Sequence, residues 1–493
     1  MKILMTASEA VPFAKSGGLA DVVSALSKQL KIMGHDVRIV MPRYYKISRD
    51  NLKKHPAPLG VPVGFGEIWN AVYETNLPGT DVPVYFLDNE ELYGREGIYG
   101  PTGSSSYDDN SVRFVNLTRG SFQLCKMLDW YPDVVHTHDW PTSTAALFLN
   151  SWEGEGYFTK TASVLSIHNL GYQGWFPKGD LHLFQLKWDE FYSSGLEKMD
   201  SLNFLKCGIM NSDIITTVSP TYAHEIQGHM SEGLGGELSQ RSGDLYGILN
   251  GMDYEDWNPK TDKLIPHNFT AKNLSGKAKM KAELQKRFGL EVNPDIPLFG
   301  IVARLADQKG FGALCGPGHG SLFNICHDMK VQFVILGSGE YWCENELSEL
   351  AGKLPNLGVY IGYNNEISHW IEAGSDFFLM PSAYEPCGLN QMYSLAYGTL
   401  PIVRRTGGLA DTVENYNQQT GDGTGFVFDA LTPQAIYDVT GWATWAYYNK
   451  KDHIAKMQQA AMSKKFLWED SAKRYEEIYA AAIEKRAVYR GLK

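Results

Sequence analysis

The sequence predicts two α/β domains, each built on a doubly wound parallel sheet. The chain opens with a short apolar run, Lys2–Ala7, followed by a Gly-Gly loop and by apolar residues at helical spacing from Leu19 to Leu30. A second run, Val37–Met41, completes a β-α-β unit. Because the chain has 493 residues and a single core stops growing at about 250 to 300 residues, two domains account for the length.

Two series of short apolar runs support this division. Each run ends in a polar or glycine turn, the position where α/β sheets place their chemistry. The first series continues with Val82–Leu87, Asp133–His136, Ser163–Ile167 and Ile214–Val218. The second contains Leu298–Ala303, Val331–Leu336, Val359–Ile361, Phe377–Met380 and Leu400–Val403.

The predicted domains are 1–257 and 258–470, followed by a C-terminal helix at 471–493. A charged stretch, Asn258–Asn293, is interpreted as a connection plus a helix. From about Trp468 to Arg490, charged residues alternate with Tyr475, Ile478 and Tyr479, which is typical of an amphipathic packing helix.

Composition narrows the class of protein. The formal net charge is −11, which argues against nucleic acid as a main partner. Six scattered cysteines without a Cys-x-x-Cys pair indicate free thiols in a reducing compartment. The N-terminus lacks a signal-peptide pattern, and no apolar run is long enough to span a bilayer. We therefore expect a cytoplasmic protein with no membrane partner.

Two similar glycine loops stand at matching places of the two series. Residues 15–23 (KSGGLADVV) resemble residues 405–413 (RTGGLADTV). Backbone N–H groups of such loops, together with a helix N-terminus, can bind an anion, to which Lys15 or Arg405 adds a full charge. Gly-Gly turns also end strands for steric reasons alone. Finding both loops favours two lobes that bind one phosphorylated ligand.

Three further strand ends carry polar side chains. Arg304 and Lys309 follow one strand, and two cations at this spacing suit a pyrophosphate leaving group, although an exposed pair on a surface turn is an equal alternative. Glu385 stands beside a glycine and a helix start, where it could bind sugar hydroxyls. His168 ends another strand and, taken singly, is more often structural.

The sequence pattern that would indicate a metal site is less specific than the motifs described above. Residues 136–139 (HTHD) contain two histidines and Asp139, but no matching carboxylate cluster accompanies them. We therefore expect hydrogen-bonding roles and no metal.

Taken together, the motifs resemble those of the glycogen and starch synthases of bacteria and plastids. The resemblance runs in order from the first residue to about Val427. It is carried by residues 15–19 (KSGGL), 136–140 (HTHDW), 167–174 (IHNLGYQG), 250–253 (NGMD), Arg304 with Lys309, 384–389 (YEPCGL) and 404–411 (RRTGGLAD).

The resemblance implies a GT-B fold, with two Rossmann-like domains facing a deep cleft and a C-terminal helix that returns to the N-terminal domain. The implied reaction transfers glucose from ADP-glucose to the non-reducing end of an α-1,4-glucan such as glycogen. Configuration would be retained, with no metal and no cofactor. Domain 1–257 would be the acceptor side, and domain 258–470 the nucleotide-sugar side.

The resemblance also assigns roles to residues. The implied catalytic residues are His168, Arg304, Lys309, Glu385 and Asp139. The implied substrate-binding residues are Lys15, Gly17, Gly18, Asp21, Tyr93, Asn250, Cys387, Gly388, Leu389, Thr406, Gly407 and Gly408. Within these sets, Arg304 and Lys309 would hold the pyrophosphate, and His168, Asn250 and Glu385 would line the glucose. Asp139 would lie near the reacting centre, and Asp21 and Tyr93 at the cleft wall.

Two departures from the family pattern affect this interpretation. Residues 311–320 contain four glycines and a proline where the family continues into a helix, so we expect either a loop insertion or a helix that begins near Ser321. Asn390 stands where relatives tend to have threonine.

Three alternatives stay open. They are a non-catalytic glucan-binding relative, the same reaction with UDP-glucose, and a dinucleotide oxidoreductase, which is disfavoured because neither loop is a Gly-x-Gly-x-x-Gly. The sequence does not determine the oligomeric state.

Overall fold

The computed structural model describes residues 1–101 and 106–492. The chain forms two compact units. Unit 1 contains Met1–Asn250 together with the chain from Trp468 onward, and unit 2 contains Gly251–Leu467. Each unit has its own sheet and its own hydrophobic core.

Unit 1 is built on a large mixed sheet whose central strands are parallel and buried. The order is β13-β12-β8-β7-β1-β2-β6-β5-β3, with β4 also pairing with β5, and β10-β11-β9 form a small separate sheet. The strands are β1 Lys2–Thr6, β2 Asp36–Pro42, β3 Lys53–Lys54, β4 Leu59–Val63, β5 Gly66–Asn76, β6 Pro83–Asp88, β7 Val134–His138, β8 Ala162–Ile167, β9 Trp175–Pro177, β10 Glu197–Lys198, β11 Ser201–Asn203, β12 Ile214–Thr217 and β13 Leu245–Gly247.

The helices of unit 1 cover this sheet and connect its strands. They are α1 Gly18–Ile32, α2 Glu90–Tyr93, α3 Asn110–Met127, α4 Asp139–Thr142, α5 Ala145–Asn150, α6 Glu190–Ser193, α7 Phe204–Asn211, α8 Pro220–Glu225 and α9 Gly235–Gln240. Short 3₁₀ turns occupy Gly156–Phe158, Lys178–Phe184 and Ser242–Asp244.

Unit 2 is built on a parallel sheet of order β16-β15-β14-β17-β18-β19. Its strands are β14 Leu298–Val302, β15 Gln332–Gly337, β16 Leu357–Ile361, β17 Phe377–Met380, β18 Leu400–Arg404 and β19 Phe426–Phe428. Its helices are α10 Ser275–Arg287, α11 Phe311–Cys315, α12 Leu322–Asp328, α13 Tyr341–Lys353, α14 Asn365–Gly374, α15 Asn390–Ala396, α16 Gly407–Thr412, α17 Pro433–Asn449 and α18 Lys451–Ser463, with a 3₁₀ turn at Asp307–Lys309.

The last helix, α19 Trp468–Tyr489, packs against unit 1. Its buried face includes Tyr475, Ile478 and Tyr479, the residues whose spacing predicted an amphipathic helix. Strand β8 and helix α1 both contact it. The predicted return of the C-terminal helix to the N-terminal domain is thus confirmed.

The prediction of two doubly wound α/β sheets is also confirmed, since each predicted apolar run lies on a strand of one of the two large sheets. The antiparallel hairpin of β4 and β5 and the small sheet of β9 to β11 were not predicted. None of the described helices has the length and apolar character required to cross a bilayer.

The glycine-rich stretch after Lys309 contains a turn that interrupts helical structure. A short helix, α11, is followed by a turn at 316–321 and then by α12, which begins at Leu322. A Cβ at Gly320 would overlap backbone atoms of Cys315 and Gly316, so the turn requires glycine there. The predicted helix start near Ser321 agrees with α12, whereas α11, which begins at Phe311 directly after Gly310, was not predicted.

Candidate functional site

The loop between β1 and α1 exposes its glycines. Gly17 precedes the first residue of α1, Gly18, and a Cβ built on either glycine would meet no atom within 4 Å. Lys15 Nζ lies 2.8 Å from Asp21 of the first helical turn, and both side chains are solvent-accessible. Four predicted substrate-binding residues, Lys15, Gly17, Gly18 and Asp21, thus form one group with open space around the glycines.

A buried carboxylate that the sequence analysis did not identify supports this loop. Glu9 is 2% exposed and follows β1 by three residues. It accepts hydrogen bonds from the Ser16 backbone N–H, from Ser16 Oγ at 2.7 Å, and from the Tyr99 hydroxyl at 2.5 Å. Glu9 therefore holds the segment that leads into Gly17 and Gly18. Its position at the end of a buried strand was the available signal.

Asp139 and His168 meet at the ends of the neighbouring strands β7 and β8. Asp139 has a left-handed backbone (φ 54°), and its Oδ1 accepts a hydrogen bond of 2.7 Å from the His168 N–H and a longer one, 3.4 Å, from the Asn169 N–H. Burial raises the pKa of Asp139 to about 7, with a smaller upward contribution from the charge of Glu9. A carboxyl group with this pKa can hold or release a proton near neutral pH.

A row of three histidines continues from this point into the sheet. The His168 Nε2 and His138 Nδ1 atoms lie 3.1 Å apart, and the His136 and His138 ring centroids are 4.2 Å apart. His136 Nδ1 lies 2.8 Å from the Tyr479 hydroxyl of α19. Burial lowers the pKa of His136 and of His168 to about 3, and it pushes the pKa of His138 well below its usual range.

The other two predicted residues of unit 1 are buried. Asn250 is 8% exposed, and its Oδ1 has no hydrogen-bond partner in the described part of the chain. Tyr93 is fully buried, donates to the Arg113 carbonyl at 2.6 Å and accepts from Asn116 Nδ2 at 3.0 Å. The prediction that Tyr93 lies at the cleft wall therefore needs correction, because its side chain is buried and its hydroxyl makes hydrogen bonds within the core.

In unit 2, Lys309 and Glu385 form an ion pair at the ends of β14 and β17. Lys309 Nζ lies 2.6 Å from Glu385 Oε2, which also accepts from Ser382 Oγ at 3.1 Å. The side chain of Glu385 is 9% exposed, whereas that of Lys309 is 22% exposed. The structure thus joins two residues that the sequence places 76 positions apart.

Backbone geometry fixes the position of Lys309. It ends a 3₁₀ turn and is followed by Gly310, whose φ is 82°. A Cβ on Gly310 would overlap the Pro381 carbonyl, so this turn packs directly against the end of β17. Arg304 is exposed, and its guanidinium donates a 2.6 Å hydrogen bond to Gln308 Oε1 of the same turn.

The second glycine pair differs from the first in its surroundings. Gly407 has φ 43°, and Cβ atoms on Gly407 and Gly408 would overlap the carbonyl oxygens of Glu385 and Cys387. The Gly408 N–H donates to the Glu385 carbonyl at 3.1 Å. Here the steric explanation of a Gly-Gly turn holds, because these glycines let two backbone segments touch. The expected anion loop is therefore less open here than at Gly17 and Gly18.

The remaining predicted residues of unit 2 surround this contact. Thr406 and Cys387 are buried, while Gly388 adopts φ 72° and Leu389 precedes α15. The unusual Asn390 donates from Nδ2 to the Val302 carbonyl at the end of β14, at 2.6 Å. Asn390 therefore ties α15 to the same strand ends that carry Lys309 and Glu385.

Two consecutive arginines lie at the end of β18, of which Arg404 is the last residue of the strand. Arg404 donates to the Ala383 carbonyl at 2.6 Å, and exposed Arg405 pairs with Asp429 at 2.7 Å. Among the described residues, no group of three or more His, Cys, Asp or Glu side chains is arranged to hold a metal ion. The three histidines of the row in unit 1 contact one another and hydroxyl groups instead.

Comparison with known proteins places these residues in a family. The model of the starch synthase catalytic domain matches residues 2–240, and the model of glycosyl transferases group 1 matches residues 283–440. A curated glycogen synthase from Treponema denticola is 56% identical over 99% of both chains, and glycogen synthase 1 from Geobacter metallireducens is 47% identical over 99% of this chain and 97% of the relative.

Solved structures agree with this assignment. The catalytic domain of starch synthase IV from Arabidopsis thaliana, bound to ADP and acarbose, superposes with a TM-score of 0.85 at 30% identity and covers 98% of this chain and 99% of its own. A sucrose-phosphate synthase from Thermosynechococcus elongatus (TM-score 0.59, 14% identity, covering 97% of this chain and 98% of its own) shares the fold. The chain therefore has the GT-B fold and belongs to the glycogen and starch synthase family of glycosyltransferases, as its motifs predicted.

Proposed function

We propose that the protein transfers glucose from ADP-glucose to the non-reducing end of an α-1,4-glucan, with retention of configuration. The observation that carries this proposal is the Lys309–Glu385 pair, held at 2.6 Å at the ends of β14 and β17 in a chain of this family. A cation and a carboxylate side by side supply a partner for a departing phosphate and a partner for sugar hydroxyls.

ADP is the proposed nucleotide of the donor. It is the nucleotide bound to the starch synthase IV structure, which is similar to this chain over nearly its full length. UDP-glucose is the competing donor, and the two differ only in the base. The proposed acceptor, a glycogen-type glucan, agrees with the names of the curated relatives.

The two domains have separate proposed roles. In the domain of residues 258–470, Arg304 and Lys309 stabilise the negative charge that develops on the diphosphate of the departing ADP. Glu385 orients the glucose, and the backbone of residues 387–389 and 406–408 supports the phosphate contacts. A Cβ at Gly407 or Gly408 would overlap a backbone carbonyl, whereas one at Gly17 would meet no atom, so we assign the larger electrostatic share to the two side-chain cations.

The domain of residues 1–257 is proposed to serve the acceptor side. Lys15, Gly17, Gly18 and Asp21 form a polar loop at the start of α1, which suits contacts to the phosphate end of the donor. His168 and Asn250 bind glucose hydroxyls, since the unpartnered Oδ1 of Asn250 is a buried acceptor. Asp139 lies beside His168 and acts close to the reacting carbon.

The proposed reaction path uses the leaving group as the base. The departing phosphate takes the proton of the acceptor hydroxyl while the acceptor attacks the same face of an oxocarbenium-like carbon. Glu385 is already paired with Lys309 and Ser382, which favours an orienting role for it over that of a nucleophile. Excluding water from this step would prevent hydrolysis of the donor.

We place the protein in the cytoplasm and expect no nucleic-acid or membrane partner. All six cysteines are free and buried, as expected in a reducing compartment. The net charge of −11 disfavours binding to polyanions.

A donor competition assay tests the proposal. Purified protein is incubated with a glycogen primer and radiolabelled ADP-glucose or UDP-glucose, and label in polymer is counted. We expect incorporation mainly from ADP-glucose and its loss in Glu385→Ala, while Glu349→Ala, a change on the surface of α13, serves as control. Faster incorporation from UDP-glucose would overturn the donor assignment. Glucan binding without transfer from either donor would instead support a non-catalytic relative.

A further inference from the structure

The proposed function assigns a role to only one member of the histidine row of unit 1, His168, and leaves His136 and His138 without one. His138 is the last residue of β7, is fully buried, and lies between His136 and His168. Its Nδ1 is 3.1 Å from His168 Nε2. In the described part of the chain, its Nε2 is buried without a hydrogen-bond partner. These contacts fix where the protons of the row can lie.

Each imidazole of the row is neutral at ordinary pH. His136 and His138 are fully buried and His168 is partly buried, and burial lowers the pKa of His136 and of His168 to about 3. A neutral imidazole carries one N–H and one bare nitrogen, and which nitrogen is protonated depends on its hydrogen bonds. Between His138 Nδ1 and His168 Nε2, one atom therefore donates and the other accepts.

The unpartnered Nε2 of His138 distinguishes the two arrangements. If His168 donated, His138 would carry its proton on Nε2 and would bury an unsatisfied N–H donor. If His138 donates from Nδ1, only a bare acceptor is left without a partner. A buried, unsatisfied N–H is the rarer and costlier of these defects in proteins. The geometry therefore favours His138 as the donor and His168 Nε2 as the acceptor.

We propose that His138 is a positioning residue that holds His168 in the Nδ1–H tautomer, so that His168 presents a hydrogen-bond donor to a hydroxyl oxygen of the donor glucose. The second half of this inference rests on the proposed function, which places His168 at the glucose. The first half concerns only the protein. Without the His138 contact, His168 could present either an N–H or a bare nitrogen to the sugar.

Several contacts keep His138 in this orientation. Its backbone N–H donates to Thr142 Oγ1 at 2.7 Å, and the Thr142 hydroxyl in turn donates to the His138 carbonyl at 3.0 Å. The ring of His136 packs against it, and His136 is itself held by the hydroxyl of Tyr479 at 2.8 Å and that of Ser166 at 2.7 Å. Helix α19 thus contributes to the orientation of the row through Tyr479.

Nitrogen NMR of the full-length protein, labelled selectively with ¹⁵N-histidine, tests the tautomer directly and needs no substrate. The His168 signals are assigned by their disappearance in His168→Gln. We expect a protonated, pyrrole-type Nδ1 and a bare, pyridine-type Nε2. A wild-type His168 protonated at Nε2 would overturn the proposal, whatever the variants do.

Two substitutions of His138 separate positioning from packing. His138→Asn keeps an N–H donor near the position of Nδ1, and we expect it to retain the His168 tautomer. His138→Phe fills the space without a donor, and we expect the His168 signals to shift toward a mixture of tautomers. An unchanged His168 spectrum in folded His138→Phe would contradict the proposal. Circular dichroism and thermal denaturation establish that each variant is folded.

Activity provides the second readout. We expect His138→Phe to lower kcat for glucosyl transfer about tenfold, the ratio that one hydrogen bond of ordinary strength represents, and His138→Asn to restore most of it. An altered tautomer with unchanged kcat would limit His138 to a structural role and overturn the link to the sugar. A wild-type protein without any transfer activity would refute the proposed function but leave the tautomer result valid.

Discussion

At the scale of single residues, the sharpest expectation concerns Lys309. Its ammonium is the cation nearest to Glu385 and partly exposed at the end of β14, where it can meet a departing phosphate. We expect Lys309→Ala to lower kcat about 10²- to 10³-fold, the loss typical of removing one group that stabilises transition-state charge. Steady-state transfer of labelled glucose to glycogen measures it.

A matched control removes a lysine of similar chemistry from a different place. Lys353 pairs with Glu349 on the surface of α13, and its replacement by Ala should leave kcat unchanged. Equal rates for the wild type and Lys309→Ala would remove Lys309 from the mechanism. A lowered melting temperature together with a lost rate would show that the ion pair is also structural.

Asp139 provides a prediction about pH and stability. Burial raises its pKa from the ordinary value of 3.8 to about 7, so between these pH values the native chain binds a proton that the unfolded chain has lost. Native stability from this group is therefore present below about pH 4 and is lost as pH rises to about 7, by at most about 1.4 kcal/mol per pH unit. Asp139→Asn removes this ionisation.

The test compares urea denaturation of the wild type and of Asp139→Asn at several pH values. We expect the variant to gain free energy of unfolding relative to the wild type as pH rises from about 4 to 7, and to lose glucosyl transfer at every pH. Asp438→Asn, on the exposed face of α17, should show no such trend. Parallel curves for the wild type and Asp139→Asn would refute the raised pKa.

At the scale of elements, the two glycine loops should respond differently to the same substitution. Gly408→Ala would place a Cβ against the Cys387 carbonyl, and backbone on both sides must then move. We expect a loss of about 1 to 3 kcal/mol in unfolding free energy, together with reduced transfer. Gly17→Ala has open space and an extended backbone (φ −153°), so the fold should tolerate it.

The two substitutions are distinguished by their effects on thermal stability and on the KM for the donor. Thermal denaturation should show a lowered midpoint for Gly408→Ala and an unchanged one for Gly17→Ala. If the space around Gly17 receives substrate, Gly17→Ala should raise KM for the donor without a change in stability. Equal stability losses in both variants would contradict the packing described at Gly407 and Gly408.

The sequence predicted those elements whose signal is local. Buried parallel strands such as β1 and β14 are continuous apolar runs, and α19 has a clear helical period. The hairpin of β4 and β5 was missed because only some positions of β5 are buried, which weakens its alternation. Local pattern thus identified the sheets better than their antiparallel edges.

The site was predictable from motifs in part only. Lys309 and Glu385 were selected as strand-end residues, but their contact depends on the neighbouring positions of β14 and β17 in the sheet. Glu9 was not identified from the sequence, yet it is the buried acceptor for Ser16 and Tyr99. Burial of Tyr93 likewise depends on tertiary packing that no local pattern reveals.

At the scale of the whole molecule, ligand binding should appear as added stability. A net charge of −11 repels anions in general, so tight binding of a nucleoside diphosphate requires local cations, for which Arg304 and Lys309 are proposed. A ligand that binds only the native state stabilises it by about 2.7 kcal/mol at one hundred times its Kd. We therefore expect ADP to raise the melting temperature, and AMP, which lacks the second phosphate, to raise it less.

Substituting the cations tests whether the rise in melting temperature with ADP arises from the proposed contacts. In Lys309→Ala and Arg304→Ala, the difference between ADP and AMP should shrink, because the charges proposed to meet the pyrophosphate are gone. Lys353→Ala should keep the full difference. UDP at the same concentration should stabilise less than ADP if the base pocket selects adenine, and a larger shift with UDP would reverse the donor assignment. Melting is measured without glucan and therefore reports donor binding alone. An unchanged melting temperature in the presence of ADP would contradict the proposed donor binding and would not concern the transfer step.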